Sequence, residues 1–367
     1  MYDYLVVGAG LAGSTFAERL ASERGARVLV VDRRDHVAGN AHDDCYRDGL
    51  QYHKYGPHIF HTNSERVVEY LSRFTEWRPY EHRVLSRVDG KLVPVPINRT
   101  TINALFGTNF DEAGVADFLA ARAERFARID NSEQMIRSRI GRELYETFFR
   151  GYTRKQWGRD PSLLDASVCG RIPTRTSDDD RYFTDRFQAM PAGGYTAMVR
   201  RMLDAPTIDV ALGVEYRHAI AEVKPAHVIF TGPIDEFYDY RYGRLPYRSL
   251  RFELETYDAP RYQAAACINE PDERVPFTRT TEYGFLTGQR SERSVVSREY
   301  PGAEGDPFYP IPCAESRALY RRYAALAERE PAVTFAGRLG EYKYFNMDQV
   351  VASVLEKAEL LLRREVA

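Results

Sequence analysis

Tyr2-Asp3-Tyr4-Leu5-Val6-Val7-Gly8-Ala9-Gly10-Leu11-Ala12-Gly13 opens the chain, an apolar run feeding a glycine-rich turn. A second apolar run, Val28-Leu29-Val30-Val31, ends in Asp32. Strand, G-x-G-x-x-G turn, helix, strand and terminal carboxylate together form a dinucleotide-binding fingerprint in its expected context. Gly8 permits the tight turn. Gly10 lets the backbone approach a pyrophosphate, and Gly13 lets the helix pack close to the strand. The helix N-terminus brings amide donors and a positive dipole end to the phosphates. Asp32 is placed to accept a hydrogen bond from a ribose hydroxyl.

Working outward, residues 33–63 are polar and rich in Gly and His, as a cofactor-lining stretch would be. A helix is expected over 64–74. Residues 84–95 read as a hairpin with Asp89-Gly90 at its turn. From about 100 to 158 the pattern turns helical: Asp111 caps a helix reaching Phe126, Ser132 and Glu133 start another, and 140–152 form a third. Residues 171–180 have no periodicity and read as a mobile loop. Pro191-Ala192-Gly193-Gly194-Tyr195 opens a helix to Leu203, and Val228-Ile229-Phe230-Thr231-Gly232 returns to the nucleotide domain as a buried strand. Strand-like runs at 250–256, 264–269, 277–281 and 294–297 suit an antiparallel sheet. A final helix spans about 347–364, with Val350, Val351, Val354, Leu355, Ala358, Leu361 and Leu362 on one face.

The 51 basic and 53 acidic residues leave a net charge of −2, so there is no general drive toward nucleic acid or an anionic membrane. Anion sites must be local arginine clusters. Cys45, Cys169, Cys267 and Cys313 form no C-x-x-C pair, which removes zinc-knuckle and dithiol motifs. His58 and His61 are three apart with no third ligand at helical spacing, so no metal is expected. The first strand begins at residue 2, leaving no room for a signal peptide, and no apolar run approaches the roughly 18 residues that span a bilayer. The expectation is a reduced, cytoplasmic protein.

Further strings are family-specific: His53-Lys54-Tyr55-Gly56-Pro57-His58-Ile59-Phe60-His61-Thr62, Gly151-Tyr152-Thr153-Arg154-Lys155-Gln156-Trp157-Gly158, Arg171-Ile172-Pro173, Tyr182-Phe183-Thr184-Asp185-Arg186, Thr231-Gly232-Pro233-Ile234-Asp235, Tyr247-Arg248-Ser249-Leu250 and Glu341-Tyr342-Lys343-Tyr344. Through them the chain resembles the bacterial UDP-galactopyranose mutases, nearly end to end. The resemblance implies an α/β fold: a discontinuous Rossmann-like FAD-binding domain, an inserted helical subdomain and a twisted antiparallel sheet. The expected divisions are 1–75 (first FAD-binding part), 76–99 (hairpin of the sheet domain) and 100–165 (helical insertion). Then come 166–181 (mobile active-site loop), 182–244 (sheet connection and second FAD-binding part), 245–325 (antiparallel substrate sheet) and 326–367 (C-terminal FAD-binding part).

The resemblance also implies site residues. FAD would be held by Gly8, Gly10, Gly13, Asp32 and Arg33, by Gly39 and Asn40, by His58, and by Arg338, Met347 and Asp348 near the last helix. Arg171 and Arg279 match the two diphosphate arginines, Arg248 another cleft arginine, and Arg175 is a weaker candidate. Phe149, Tyr152, Gln156 and Asn269 match a uridine pocket. Phe148 and Phe149 are adjacent on a helix, so one is expected in the core. Trp157 matches a substrate-positioning residue, and Tyr182, Tyr309 and Tyr344 match phosphate-contacting tyrosines. His61 and His82 would line the hexose. Four departures stand out: Ala38 for a usual Gly, Asn346 for Asp, His82 for Asn and Pro57 for Ala. The last three lie near the sugar pocket.

The implied reaction interconverts UDP-galactopyranose and UDP-galactofuranose, with reduced FAD acting through a covalent adduct between flavin N5 and the sugar. Arg171 and Arg279 would hold the leaving UDP. The sequence offers no clear general-base dyad. Rival readings are a mutase for UDP-N-acetylgalactosamine or another nucleotide hexose, a net-redox FAD oxidoreductase, and an inactive binder of nucleotide sugars. A homodimer is expected from the resemblance alone.

Overall fold

The computed structural model describes residues 2–364. Its base is a five-stranded parallel sheet ordered Ile208–Leu212, Val28–Asp32, Tyr4–Val7, His227–Phe230 and Val333–Phe335. These five strands come from three sequence-distant segments, 4–32, 208–230 and 333–335, so the nucleotide domain is discontinuous. The central strands are apolar throughout because helices cover both faces of a parallel sheet. Helix Leu11–Arg24 packs Phe16, Ala17 and Leu20 into that core, and the final helix Met347–Arg364 adds Val351, Val354, Leu355 and Ala358.

A seven-stranded sheet runs Tyr309–Pro310, Tyr247–Tyr257, Ser294–Gly302, Arg279–Glu282, Cys267–Asn269, Val84–Val88 and Lys91–Val95. It is antiparallel except where Cys267–Asn269 lies parallel to Val84–Val88. The Asp89-Gly90 hairpin is present, with positive φ at both turn residues (48° and 77°), as a type I′ turn requires.

The helical subdomain, Arg99–Phe106, Glu112–Arg122, Ser132–Tyr145 and Gly151–Trp157, shares a core with the hairpin end of the seven-stranded sheet. Asp111 caps its helix by accepting from the Gly114 amide, but the helix ends at Arg122, short of Phe126. The next helix starts at Ser132 as expected, capped by Asn131, whose side chain accepts from the Gln134 amide. The expected helix over 140–152 is broken: the chain kinks at Gly141 and makes a π turn over Glu146–Arg150. That turn widens the helix, as π turns at functional sites do. Phe148 and Phe149, expected to face different ways with one in the core, are both buried in the subdomain core and both line the same cleft.

Residues 171–180 hold no regular element, yet their distal half is tied down. Arg99 N donates to Ser177 O at 2.9 Å, Asn98 Nδ2 to Asp179 O at 3.3 Å, and Arg83 Nε to Asp180 at 2.8 Å. Among the described residues, no helix is long and apolar enough to cross a membrane.

Candidate active site

Two cavities meet. The first lies over the C-terminal edge of the parallel sheet and is lined by Gly8, Gly10, Asp32, Arg33, Gly39, Asn40, His58, Arg338 and Met347 among others. The second lies between the helical subdomain and the seven-stranded sheet. His58, Arg338 and Met347 line both, so the cavities are contiguous at those side chains.

In the first cavity the helix Leu11–Arg24 starts at Gly10 with no side-chain cap and no acidic residue in its first turn. Its amides are therefore free for an anion. A Cβ on Gly13 would sit 1.8 Å from Gly8 O, so only glycine allows this helix to approach its strand. The Asp32 carboxylate accepts from the Ala9 amide at 2.8 Å and the Arg34 amide at 2.9 Å, which fixes it at the rim. Ala38, where the family's glycine was expected, adopts φ 73°, a left-handed conformation costing an L-residue about 1–2 kcal/mol. The bond from Ala38 N to Ala9 O, 2.8 Å, helps to hold it there.

Arg34 had no place in the sequence reading. Its guanidinium lies 4.3 Å over the Tyr55 ring and donates to Asn40 Oδ1 at 2.9 Å. Arg33, more exposed, pairs with Asp306 at 3.2 Å. Asp348 does not reach the cavity wall. It stands in the first turn of the last helix, where a negative charge suits the dipole, with Oδ1 buried and unpartnered.

The second cavity gathers most of the remaining candidates: His61, His82, Phe149, Tyr152, Gln156, Trp157, Arg171, Tyr182, Asn269, Arg279, Tyr309, Tyr344 and Asn346 all line it. Asn269 and Arg279 are cross-strand partners. Trp157 meets Tyr344 edge-on at 5.2 Å, and Tyr344 meets Tyr309 edge-on at 5.5 Å. The Arg171 guanidinium lies 4.1 Å over the Tyr344 ring, within cation–π range. Gln156 Oε1 is buried with no partner, an acceptor in want of a donor.

Burial works against the charge of Arg279, but the Glu299 carboxylate outweighs it and holds the pKa well above the usual arginine value. Burial pulls His82 down to about 3, with Arg279 adding to the effect. It pulls His58 to about 3 and His53 to about 4. These three imidazoles are neutral at pH 7. Burial pushes the Tyr309 phenol up to about 12.

Two candidates turn elsewhere. Arg248 is absent from the cavity wall. It is buried and donates to Gln156 O at 2.9 Å and Lys155 O at 3.0 Å, capping the helix that carries Tyr152, Gln156 and Trp157. Arg175 bonds the carbonyls of its own loop, Asp179 O and Arg181 O.

The sequence reading found no dyad; the structure contains one. His61 Nδ1 lies 2.8 Å from Asp185 Oδ2, with the Phe183 ring stacked on the imidazole at 3.7 Å. Asn63 holds the other Asp185 oxygen at 2.8 Å. The partners are 124 residues apart, so no local spacing could have paired them. Among the described residues, no group of three or more His, Cys, Asp or Glu side chains could hold a metal ion.

A family model described as UDP-galactopyranose mutase matches residues 147–344, over half the chain. A probable UDP-galactopyranose mutase of Klebsiella pneumoniae is 41% identical over 98% of this chain and 94% of its own length.

The chain belongs to the UDP-galactopyranose mutase family.

A second relative, dTDP-fucopyranose mutase of Escherichia coli, is 35% identical over 99% of both chains. A model described as an NAD(P)-binding Rossmann-like domain covers residues 6–74, the segment holding the glycine turn. In fold, a crystal structure of reduced UDP-galactopyranose mutase superposes with a TM-score of 0.79, covering 99% of this chain and 96% of that one at 16% identity. For this mutase-family chain, that likeness speaks to the α/β architecture with its Rossmann-like domain.

Proposed function

We propose that the protein interconverts UDP-galactopyranose and UDP-galactofuranose, with FAD in the first cavity and the nucleotide sugar in the second. The observation that carries this reading is the contiguity of the two cavities at His58, Arg338 and Met347. There the reactive end of a dinucleotide cofactor and the sugar end of a nucleotide sugar would meet. The uncapped helix at Gly10, the close approach at Gly13 and the rim carboxylate Asp32 fit the diphosphate and ribose of FAD. Reduced FAD supplies the nucleophile that this chemistry needs.

The chain's residues have three tasks. Arg279, aimed into the cleft from the sheet, and Arg171, on the Tyr344 ring, offset the charge of the leaving diphosphate. Arg171 sits between two anchored stretches: Arg139 holds Gly170 O and Ile172 O, and 175–180 is tied to Ile97, the hairpin and the helix at Arg99, so bringing Arg171 further in requires the Arg139 bonds to open. Closure would keep water from the reacting sugar. Phe149, Tyr152 and the orphaned Gln156 Oε1 suit a pyrimidine ring that donates from its N3–H. His61, oriented by Asp185, can hold or move a proton at Nε2 beside the sugar.

A dTDP-linked hexose is the second reading, since one relative is named for that substrate. His82, Asn346 and Pro57 all line the cleft, where they could alter sugar preference. Offering the purified holoprotein UDP-galactofuranose and a dTDP-fucofuranose in parallel separates the two. Conversion of the UDP sugar alone supports the first reading, and conversion of the dTDP sugar alone replaces it. A cytoplasmic homodimer is part of the same proposal and rests on the family resemblance.

A further inference from the structure

Lys155 stands in the helix Gly151–Trp157 but does not line the cleft. Its Nζ donates to four main-chain carbonyls of a single turn: Glu270 O at 2.6 Å, Asp272 O at 2.8 Å, Val275 O at 2.9 Å and Phe277 O at 2.9 Å. An ammonium has three protons, so four oxygens at these distances form a cage around a point charge. The turn closes a hairpin whose last paired residues are Asn269 and Arg279, both on the cleft wall. The caging helix itself carries Tyr152, Gln156 and Trp157, which form the facing wall.

Two neighbours fasten the same joint. A Cβ on Gly151 would sit 2.3 Å from Pro271 O, so the first residue of the helix touches the turn directly. Arg248 holds the carbonyls of Lys155 and Gln156 from the sheet. The nearby carboxylates are matched to arginines: Glu270 to Arg87 at 2.9 Å, Asp272 to Arg274 at 2.6 Å and Glu273 to Arg154 at 3.2 Å. Carbonyl dipoles therefore provide all of the ammonium's direct bonding.

We infer that Lys155 is a positioning residue: its caged ammonium sets the gap between the helix that takes the base and the Asn269–Arg279 pair that takes base and diphosphate. The inference rests on the reading of the cleft as a nucleotide-sugar site. Without the charge, four carbonyl oxygens face one another, and opening the turn relieves that repulsion. Burial already draws the Lys155 pKa down to about 8, against the opposing pull of Glu270, Asp272 and Glu273.

The test compares holoprotein with Lys155→Met and Lys155→Ala by two readouts. One is UDP titration. The other is amide hydrogen exchange over residues 270–278, which needs no ligand. In both variants the UDP dissociation constant is expected to rise by about tenfold or more, with exchange over 270–278 faster by a similar factor. The strand Tyr4–Val7 should be unaffected. In Lys155→Ala, methylammonium chloride should restore both readouts and choline chloride should not, because only a small cation fits the cage. Unchanged exchange over 270–278 overturns the inference, as does wild-type UDP affinity in both variants.

If wild-type holoprotein fails to bind UDP, the reading of the cleft falls while the exchange readout still decides the clamp. Should neither variant fold, wild-type protection factors over 270–278 are followed from pH 7 to about pH 11, the ordinary lysine range included, with the strand Tyr4–Val7 as control. Protection over 270–278 is expected to drop where the ammonium loses its proton while the control strand holds, and parallel behaviour of the two segments over the whole range refutes the clamp.

Discussion

Arg279 holds Glu299 with two nitrogens on one oxygen: Nε at 2.9 Å and Nη2 at 2.7 Å, both on Oε2. The two residues are direct cross-strand partners, and Glu299 is only 1% exposed. The pair fixes the guanidinium plane and leaves its other donors toward the cleft.

Arg279→Lys keeps the charge but cannot reproduce the side-on grip or present a second edge to a diphosphate. UDP affinity should fall by about tenfold or more. Stability should fall by about 1–3 kcal/mol, because Glu299 loses a charge-assisted bond. Calorimetric titration and denaturant melts measure the two effects separately. Wild-type affinity for UDP would remove Arg279 from the diphosphate site.

Acid stability follows from the buried imidazoles. His53 and His82 have folded pKa values near 4 and 3, below the ordinary 6.5. The unfolded chain binds protons that the folded chain refuses, so stability is intact above pH 6.5 and falls as pH drops toward the folded values. Each histidine contributes a slope of about 1.4 kcal/mol per pH unit in that window. His82→Asn should flatten the urea-stability profile between pH 6 and 4 by about that slope. An unchanged profile would mean that His82 is not held neutral.

Gly13→Ala places a methyl 1.8 Å from Gly8 O and forces the helix off its strand. Flavin content, read as absorbance at the visible flavin band per chain, should drop severely while the antiparallel sheet persists by circular dichroism. Full flavin occupancy would show that the turn does not carry the diphosphate.

Elements governed by local sterics were legible in the sequence. The glycine turn declared itself, as did the Asp89-Gly90 hairpin and the one-sided apolar stripe of Met347–Arg364. The strand Ile208–Leu212 was missed because it is an edge strand with a single buried residue, Ile208, and so lacks an apolar pattern. The helix Ala314–Ala327 was missed for a related reason: only Ser316 and Tyr323 are buried along it. The candidate site was legible as residue types but not as partnerships. His61 and Asp185, or Arg279 and Glu299, meet only through the tertiary fold. No property of the helix around Lys155 announces a carbonyl cage 115 to 122 residues away.

Arg171→Ala should retain flavin, because Arg171 lies on the cleft wall away from the nucleotide cavity. Turnover should fall by at least about a hundredfold, the scale seen when a charge-stabilising donor is removed. Turnover within a few-fold of wild type would take Arg171 out of the reaction.

A flavin-dependent interconversion of furanose and pyranose rings without net redox change is tested most directly by product analysis. The purified holoprotein is incubated with UDP-galactofuranose, with and without dithionite. UDP-galactopyranose is expected to form over many turnovers per flavin after a single priming reduction, and little to form without it. No conversion by holoprotein whose flavin is bound and reduced would contradict this chemistry, as would consumption of reductant in step with product.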